Sequence, residues 1–245
     1  MKIFVAIDDT DNLESKGTGF RARELAALLQ QNGCGQVLGV TRHQLFFNEQ
    51  IPYTSHNSSA CIALDSAIEK CPQIIEFSAK YLQENAAEGS DAGLCVCPAS
   101  KVTESLMRYA VSAKSEVLTM DMARNLAAQL GIFLEGYTGT RQGIIGSLAA
   151  VGLHAGGNDG RYLLAKGMRE IFGIHTSSEI LKNTGVEKIK SLDNEFFYTF
   201  EKILLTEWWR PILKDSQAVL FVEPANNEDY EYRVISKELI KNLSN

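Results

Sequence analysis

Three carboxylates lie within four residues near the start of the chain, in the segment Asp8-Asp9-Thr10-Asp11. Like charges this close repel one another, and they stay ionised with solvent, a basic partner or a bound cation nearby. Mg²⁺ suits such a segment, since it takes oxygen ligands and commonly binds through one or two carboxylates plus substrate phosphates. If the geometry of the preceding strand continues, Asp9 and Asp11 project to one side and Asp8 to the other. We therefore expect Asp9 and Asp11 to be metal ligands, with Asp8 holding the loop or contacting the metal through water.

Two other interpretations of the acidic segment stay open. Asp and Asn favour turns and helix caps, so the segment is also typical of a simple exit from a strand. Asp9-Thr10-Asp11 also matches the D-x-D segment of haloacid-dehalogenase-type phosphatases. However, Leu13 stands where that family usually has Thr or Val, and no later paired acidic motif is evident.

The start of the first predicted helix is a second candidate site. The run Ser15-Lys16-Gly17-Thr18-Gly19 leads into an apolar pattern, and a helix start offers free N–H groups and a favourable field for phosphate. Lys16 can add a positive charge there. Thr18 is either an N-cap that accepts a backbone hydrogen bond or a hydroxyl that meets phosphate, and the residues alone favour the N-cap.

A glycine-rich turn precedes a later apolar helix, with the spacing G-x-x-x-G-x-x-G from Gly139 through Gly143 to Gly146. Glycines let backbone N–H groups approach an anion, and the start of a helix stabilises that anion. Arg141 can clamp phosphate oxygens with its forked guanidinium. The spacing matches neither a Walker loop nor a dinucleotide fingerprint, and close helix packing explains the glycines equally well.

A polar loop follows the second predicted strand and is the candidate substrate-binding segment. Its hydroxyl, aromatic, imidazole and amide groups suit the holding of a substrate, and the residues are Tyr53, Thr54, His56 and Asn57. A solvated loop is the alternative interpretation. For His43, just before this loop, a structural role is the favoured one.

The elements that position these residues follow from the apolar patterns. Strands are predicted at residues 2–7, 36–46, 59–64 and 93–96. Helices are predicted at 18–32, after Pro72, and at 100–112, 119–130 and 143–153. The tail contains strand-like segments at 195–205, 217–223 and 229–235. The predicted class is α/β (or α+β), a mixed sheet with flanking helices, divided into a catalytic domain over 1–184 and a small β-rich C-terminal appendage over 185–245.

Composition limits the classes of protein that the chain can represent. Of its 245 residues 45% are hydrophobic, and 24 basic against 30 acidic residues give a formal net charge of −6. This balance argues against coating nucleic acid through broad charge neutralisation. The N-terminus lacks the pattern of a secretory signal, no apolar window suits a transmembrane helix, and the 5 cysteines are irregularly spaced. We expect a cytoplasmic protein with no membrane partner.

These segments, in this order, resemble the archaeal tRNA-isoleucine 2-agmatinylcytidine synthetase (TiaS) family, in its N-terminal kinase-like catalytic domain and part of the domain that follows. The resemblance lies in Asp8-Asp9-Thr10-Asp11, Thr18, Ile51-Pro52-Tyr53 and the helix Gly143–Gly152. It implies a domain that binds ATP and Mg²⁺ and phosphorylates the C2 carbonyl oxygen of a cytidine, which agmatine then displaces. It also implies that Asp8, Asp9 and Asp11 serve metal binding or phosphoryl transfer, that Thr18 occupies the position of a phosphorylated threonine, and that the turn with Arg141 lies over the phosphates.

The sequence also departs from that family. Leu13-Glu14-Ser15-Lys16-Gly17 replaces a cysteine-containing turn, and Gly19 stands where a second threonine is usual. The OB-fold and zinc ribbon that grip tRNA in the family have no counterpart here, so we do not expect tRNA binding by this chain alone.

The expected function is an ATP/Mg²⁺-dependent kinase-like or ligase-like enzyme that acts on a small-molecule or nucleotide-like acceptor. Two alternatives remain open at this point. One is a non-catalytic module that binds nucleotide for regulation. The other is the catalytic subunit of a split tRNA-modification system.

Overall fold

A computed structural model describes residues 1–53, 56–192 and 200–245. The chain divides into two compact units, Met1–Gly156 and Gly157–Asn245. The boundary expected between residues 184 and 185 lies inside the second unit, because strands at 161–164 and 173–176 pair with strands from the C-terminal part. No helix in these ranges has the length and apolar character needed to cross a membrane.

The first unit is built on an antiparallel sheet in the order β5-β4-β1-β3-β2. The strands are β1 (Lys2–Asp8), β2 (Gln36–Gln44), β3 (Ser58–Asp65), β4 (Gly93–Pro98) and β5 (Phe133–Gly136). The central strand β1 is buried from Ile3 onward. This burial explains why the sequence of β1 is apolar without alternation, since both faces of the strand are covered.

Helices cover both faces of this sheet. They are α1 (Thr18–Gln31), α2 (Cys71–Asn85), α3 (Glu104–Ser112), α4 (Met120–Leu130) and α5 (Ile144–Gly156). Phe4 and Ala6 share a core with residues of α3, α4 and α5. Because side chains alternate along a strand, Val5 and Ile7 point to the opposite face, where α1 and α2 pack.

Helix α5 lies closest to the sheet and is buried along almost its whole length. A Cβ at Gly152 would lie 2.5 Å from the Cβ of Ala110, so this glycine allows α5 and α3 to pack closely. The helix ends at Gly156 rather than at 153 as expected, and α3 begins at Glu104 rather than near 100. The start of α3 is fixed by Thr103, whose side chain accepts a hydrogen bond from Leu106 N.

The second unit is rich in β-structure and has its own core around the fully buried Trp209. Its elements are β6 (Arg161–Leu164), β7 (Gly173–Thr176), α6 (Ser177–Asn183), β8 (Lys188–Ser191), β9 (Lys202–Leu205), β10 (Ile212–Lys214), β11 (Gln217–Pro224), β12 (Tyr232–Val234) and α7 (Lys237–Leu243). Parallel pairs, β8 with β11 and β9 with β12, occur beside antiparallel ones. The predicted class, a mixed α/β protein with a β-rich C-terminal part, is confirmed. Residues 195–199 of the strand expected at 195–205 lie outside the described residues.

Candidate functional site

One edge of the first sheet collects the segments that the sequence singles out. Because neighbouring strands run in opposite directions, β1 and β2 end at the same edge at which β3 and β4 begin. A cleft opens there with about 770 Å³ of empty space, part of it open to solvent.

The lining of the cleft comes from the acidic segment, the loop after β2, the end of α3 and the start of α5. The residues are Asp8, Asp9, Asp11, Thr18, Leu45, Gln50, Ile51, Pro52, Tyr53, His56, Asn57, Ser58, Ala113, Glu116, Val117, Leu118, Gln142, Gly143, Ile145 and Gly146. All of them belong to the first unit. The lining combines acidic, neutral polar and apolar side chains.

The backbone turns sharply within the acidic segment. Strand β1 ends at Asp8, and Asp9 has a φ of 50°, in the left-handed region that Asp tolerates better than most residues. The strand geometry therefore does not continue, and the expected alternation of Asp9 and Asp11 against Asp8 does not apply. All three carboxylates line the cleft.

Asp8 is buried against the start of α5. It exposes 8% of its surface, and a Cβ at Gly146 would lie only 1.8 Å from its Oδ2. Burial, with the charge of Asp9 as the next cause, raises the pKa of Asp8 well above its usual value, while Arg42 acts in the opposite direction. Only a residue without a side chain at position 146 lets this carboxyl group meet the helix.

Asp9 carries the second perturbed carboxylate of the cleft. Burial raises its pKa to about 6, and the charges of Asp91 and Asp11 add to that effect. Within the described ranges no three His, Cys, Asp or Glu side chains are already gathered as a metal-binding group. An Mg²⁺ site does not need such a group, because one or two carboxylates and substrate phosphates commonly suffice.

Asp11 and Thr18 are joined by two hydrogen bonds. Asp11 Oδ1 accepts from Thr18 N at 3.0 Å and from Thr18 Oγ1 at 2.6 Å. Helix α1 starts at Thr18 after the N-cap residue Gly17, which has no side chain to cap it. The N-cap interpretation of Thr18 was therefore wrong, and Asp11 supplies the capping acceptor from the preceding loop.

The Thr18 hydroxyl stands among polar groups at the floor of the cleft. Besides donating to Asp11, it accepts hydrogen bonds from Thr10 N at 3.2 Å and from Thr10 Oγ1 at 3.1 Å. The residue is buried to 8% exposure and still lines the cleft. These contacts fix the hydroxyl beside the acidic segment.

Only part of the glycine-rich turn lies at the cleft with the acids. Gly143 and Gly146 line the cleft, whereas Gly139 and Arg141 do not. Arg141 has a φ of 66°, and its guanidinium lies 3.7 Å from the carboxylate of Glu135, with both side chains about half exposed. The guanidinium thus neighbours the end of β5 instead of the cleft.

Lys16 also lies away from the lining of the cleft. Its ammonium nitrogen stands 4.1 Å from the ring centre of Phe20, a cation–π contact at the surface of α1. The positive charge that the sequence suggested for this site is therefore directed onto the helix.

The loop after β2 forms the opposite wall. Tyr53, His56 and Asn57 line the cleft, while Thr54 lies outside the described residues. The base of the loop is closed by Leu45 N, which donates to Asn57 O at 2.9 Å, and by Asn57 Nδ2, which donates to Phe46 O at 2.6 Å. These bonds fix the orientation of Asn57.

His43 is buried and does not line the cleft. Thr41 Oγ1 is hydrogen-bonded to His43 Nε2 at 2.8 Å and to His154 Nδ1 at 2.8 Å. Burial, followed by the charges of His43 and Lys2, lowers the pKa of His154 to about 3. The structural interpretation of His43 agrees with this position between β2 and α5.

Several residues of the site were not singled out by sequence reasoning. Gln142, Gln50 and Glu116 line the cleft, and Asp91 lies close enough to Asp9 to raise its pKa. Asp91 is an isolated acid whose role depends on contacts far along the chain. The turn composition Gly89-Ser-Asp-Ala-Gly93, just before a predicted strand, is the one local signal that could have drawn attention to it.

Comparison with known proteins gives a consistent likeness for part of this chain. No protein-family profile matches the sequence. The uncharacterized protein MJ0921 of Methanocaldococcus jannaschii is 27% identical over 156 residues, which are 62% of this chain and 50% of that protein. This chain therefore spans about half the length of the curated relative that it matches.

Solved structures give the same likeness at the level of the fold. The complex of TiaS with an isoleucine tRNA and ATP matches with a TM-score of 0.55 and 25% identity, over 62% of this chain and 36% of that chain. A tRNA fluorescent labeling enzyme matches with a TM-score of 0.54, 25% identity and the same two coverages. Apo TiaS, the isoleucine-tRNA agmatidine synthetase, matches with a TM-score of 0.53 and 24% identity, over 62% of this chain and 35% of that chain. The matched part of the chain has a TiaS-like fold, as the resemblance implied; membership of that family stays a prediction.

Proposed function

We propose that the chain is an ATP- and Mg²⁺-dependent enzyme, kinase-like or ligase-like, that transfers a phosphoryl or nucleotidyl group to a small-molecule or nucleotide-like acceptor. The TiaS-like fold supports this proposal, because a solved TiaS complex contains ATP and an isoleucine tRNA. The activity itself rests on the cleft, since a fold alone does not define a function.

One observation carries the proposal. The three carboxylates, the Thr18 hydroxyl and the start of α5 at Gly143 and Gly146 line a single cleft. They come from separate parts of the chain, and each suits a different part of a metal–triphosphate complex. Acids suit the cation, whereas the positive end of a helix dipole suits the phosphates.

The residues present fit a divalent cation. Burial and mutual repulsion raise the pKa of both Asp8 and Asp9, and a bound cation favours the charged form of a nearby carboxylate. Asp9 and Asp11 would hold Mg²⁺ from the protein side. When bound, Mg²⁺ would neutralise charge on the phosphates and thereby assist transfer of the phosphoryl or nucleotidyl group.

The chain's own residues then act mainly by positioning and by charge stabilisation, on which phosphoryl transfer depends. Gly143 and Gly146 let the start of α5 pack directly against Asp91 and Asp8, which brings the positive end of the helix dipole to the acidic segment. Gln142, which also lines the cleft, can donate from its amide. Tyr53, His56 and Asn57, which line the cleft, are assigned to the acceptor. Thr54 is assigned to it from the sequence alone.

Thermal stability with and without ligands tests this assignment. We expect ATP plus Mg²⁺ to raise the melting temperature of the wild-type chain, because a ligand that binds only the folded state stabilises it. ATP without Mg²⁺ should give a much smaller shift. In Asp9→Asn, the shift with ATP and Mg²⁺ should be largely lost.

Asp121→Asn is the matched control, since Asp121 is an exposed aspartate in the first turn of α4, away from the cleft. It should keep the full shift with ATP and Mg²⁺. A shift in the wild type that depends on neither Mg²⁺ nor Asp9 would overturn the metal assignment. Phosphorus NMR of the products would then show whether ADP, or AMP with pyrophosphate, is released.

A further inference from the structure

Asp91 joins the glycine-rich turn to the start of β4. Its carboxylate accepts hydrogen bonds from Thr140 N and, at 2.8 Å, from Thr140 Oγ1. Its carbonyl oxygen accepts a third from Gly143 N at 2.9 Å. One residue thus holds the turn at its centre and at its end.

The residues beside Asp91 bind the same turn. Ala92 N donates to Thr138 Oγ1 at 2.8 Å, and Tyr137 N donates to Ala92 O at 2.8 Å. A Cβ at Gly139, where φ is 48°, would lie 2.1 Å from Asp91 Oδ1, and one at Gly143 would lie 2.5 Å from Asp91 O. Both glycines are therefore required for close approach of the turn to Asp91.

The segment that precedes Asp91 is tied to the acidic segment as well. Ala87 N donates to Thr10 O at 3.0 Å, and Asn12 Nδ2 donates to Glu88 O at 3.1 Å. The negative charge of Asp91 also raises the pKa of Asp9, as the second cause after burial. Residues 87–92 consequently bind the loop of the acidic segment, at Thr10 and Asn12, on one side and the glycine-rich turn on the other.

From this geometry we propose that Asp91 is a positioning residue: through its hydrogen bonds to Thr140 and Gly143 it fixes the glycine-rich turn at a set distance from Asp9. The inference rests on the proposed function, in which the acids and the start of α5 bind the same metal–triphosphate complex. Such a ligand is bound well only if both parts are already at the right separation. Asp91 itself is assigned no contact with the ligand.

Hydrogen exchange of the full chain, without ligand, tests whether Asp91 holds the turn. Asp91→Ala removes both side-chain acceptors. Asp91→Asn removes the charge but keeps the acceptor for Thr140 N, and its amide NH₂ can donate to Thr140 Oγ1, which then accepts instead of donating. We expect exchange in residues 139–143 to rise about tenfold in Asp91→Ala and to stay within about twofold of the wild type in Asp91→Asn. Thr140→Val should raise the exchange about threefold, and Thr140→Ser, which keeps the hydroxyl, should restore it. Exchange in β1 and β3 should be unchanged, which shows that the variants fold.

Binding of ATP in the presence of Mg²⁺, measured by calorimetry on the same variants, tests the consequence for the site. The dissociation constant should rise about tenfold in Asp91→Ala and change less than about twofold in Asp91→Asn and in the control Asp121→Ala. Equal losses in Asp91→Asn and Asp91→Ala would overturn the inference, because charge and not hydrogen bonding would then be responsible.

Two further outcomes also decide the matter. Faster exchange in the turn of Asp91→Ala, with an unchanged dissociation constant for ATP, would make Asp91 a purely structural residue and overturn the positioning role. A wild-type chain that does not bind ATP would contradict the proposed function; the exchange result would still decide whether Asp91 holds the turn.

Discussion

Asp11 illustrates how a single residue of the cleft serves both the fold and the site. It lines the cleft, and its Oδ1 accepts the two hydrogen bonds from Thr18 that begin helix α1. Asp8 likewise serves both, because its buried carboxyl group occupies the space that a side chain at position 146 would fill. Replacing either aspartate therefore changes stability and binding together, and the two effects can be separated only by the choice of substituent.

Asp11→Ala and Asp11→Asn should differ in stability but agree in binding. Alanine removes the acceptor for Thr18, and the loss of a helix-capping acceptor costs about 1 kcal/mol of unfolding free energy. Asparagine keeps that acceptor and removes one of three neighbouring like charges, so its unfolding free energy should match or slightly exceed that of the wild type. Urea unfolding measures the first quantity.

Both Asp11 variants should lose most of the extra stability that ATP with Mg²⁺ gives to the wild type, since both lack the carboxylate charge. Thermal shift with the two ligands measures this. An Asp11→Asn chain that is as unstable as Asp11→Ala, or that keeps the full ligand shift, would contradict the double role of Asp11.

The strands and helices set the site by where they begin and end. The acidic segment follows β1, α1 starts at Thr18, and α5 starts at Ile144, so that all three are neighbours at one edge of the sheet. Beneath this edge, Thr41 on β2 joins His43 and His154 in a buried network between β2 and α5. The network gives that interface a dependence on pH.

His154→Gln should reduce the loss of stability in acid. Burial, together with His43 and Lys2, lowers the pKa of His154 to about 3, so the folded chain keeps this ring neutral. The unfolded chain takes up the proton below its ordinary pKa of about 6.5. Stability from this group is therefore complete above that pH and is lost as pH falls toward 3, at up to about 1.4 kcal/mol per pH unit.

Urea unfolding between pH 7 and pH 4 measures the difference. The slope of unfolding free energy against pH should be shallower in His154→Gln than in the wild type. Identical slopes for His154→Gln and the wild type would show that the buried ring does not oppose protonation.

Local patterns of the sequence predicted the elements whose signals are local. The run after Met1 predicted β1, and Gly131 predicted the end of α4, where its φ is 61°. Strand β5 was missed, because Phe133–Gly136 is short and is a strand through its pairing with β4. Asp91 was missed for the same physical reason, since its bonds to Thr140 join residues far apart in the chain.

At the scale of the whole chain, the cleft is formed by residues of the first unit, and the β-rich unit has a core of its own. Every residue that lines the cleft lies between Asp8 and Gly146, whereas the second unit has a separate core around Trp209. The chain's 2 tryptophans, Trp208 and Trp209, both lie in the second unit. Their fluorescence therefore follows the unfolding of that unit.

Trp209→Ala should destabilise the second unit strongly. Trp209 is fully buried, and its Nε1 donates to Ile171 O at 3.0 Å; such a truncation costs about 3–5 kcal/mol. Trp208→Ala is the control, since Trp208 is less buried than Trp209. Its ring makes cation–π contacts with Arg210 and Lys237, and such contacts contribute about 1 kcal/mol. Urea unfolding followed by the remaining tryptophan measures both values.

The stabilisation of the first unit by ATP with Mg²⁺ should persist in Trp209→Ala, as hydrogen exchange in β1 and α5 would show. Equal losses of stability in the two tryptophan variants would contradict the assignment of Trp209 to the centre of that core.

The central claim is that the acidic segment binds a metal–triphosphate complex together with the start of α5. Calorimetric titration with a non-hydrolysable ATP analogue tests it most directly, because binding is then measured apart from turnover. We predict binding by the wild-type chain that requires Mg²⁺, and a dissociation constant at least about tenfold higher in Asp9→Asn. Binding of the analogue with equal affinity in the presence of a chelator, or with equal affinity by Asp9→Asn, would contradict the account.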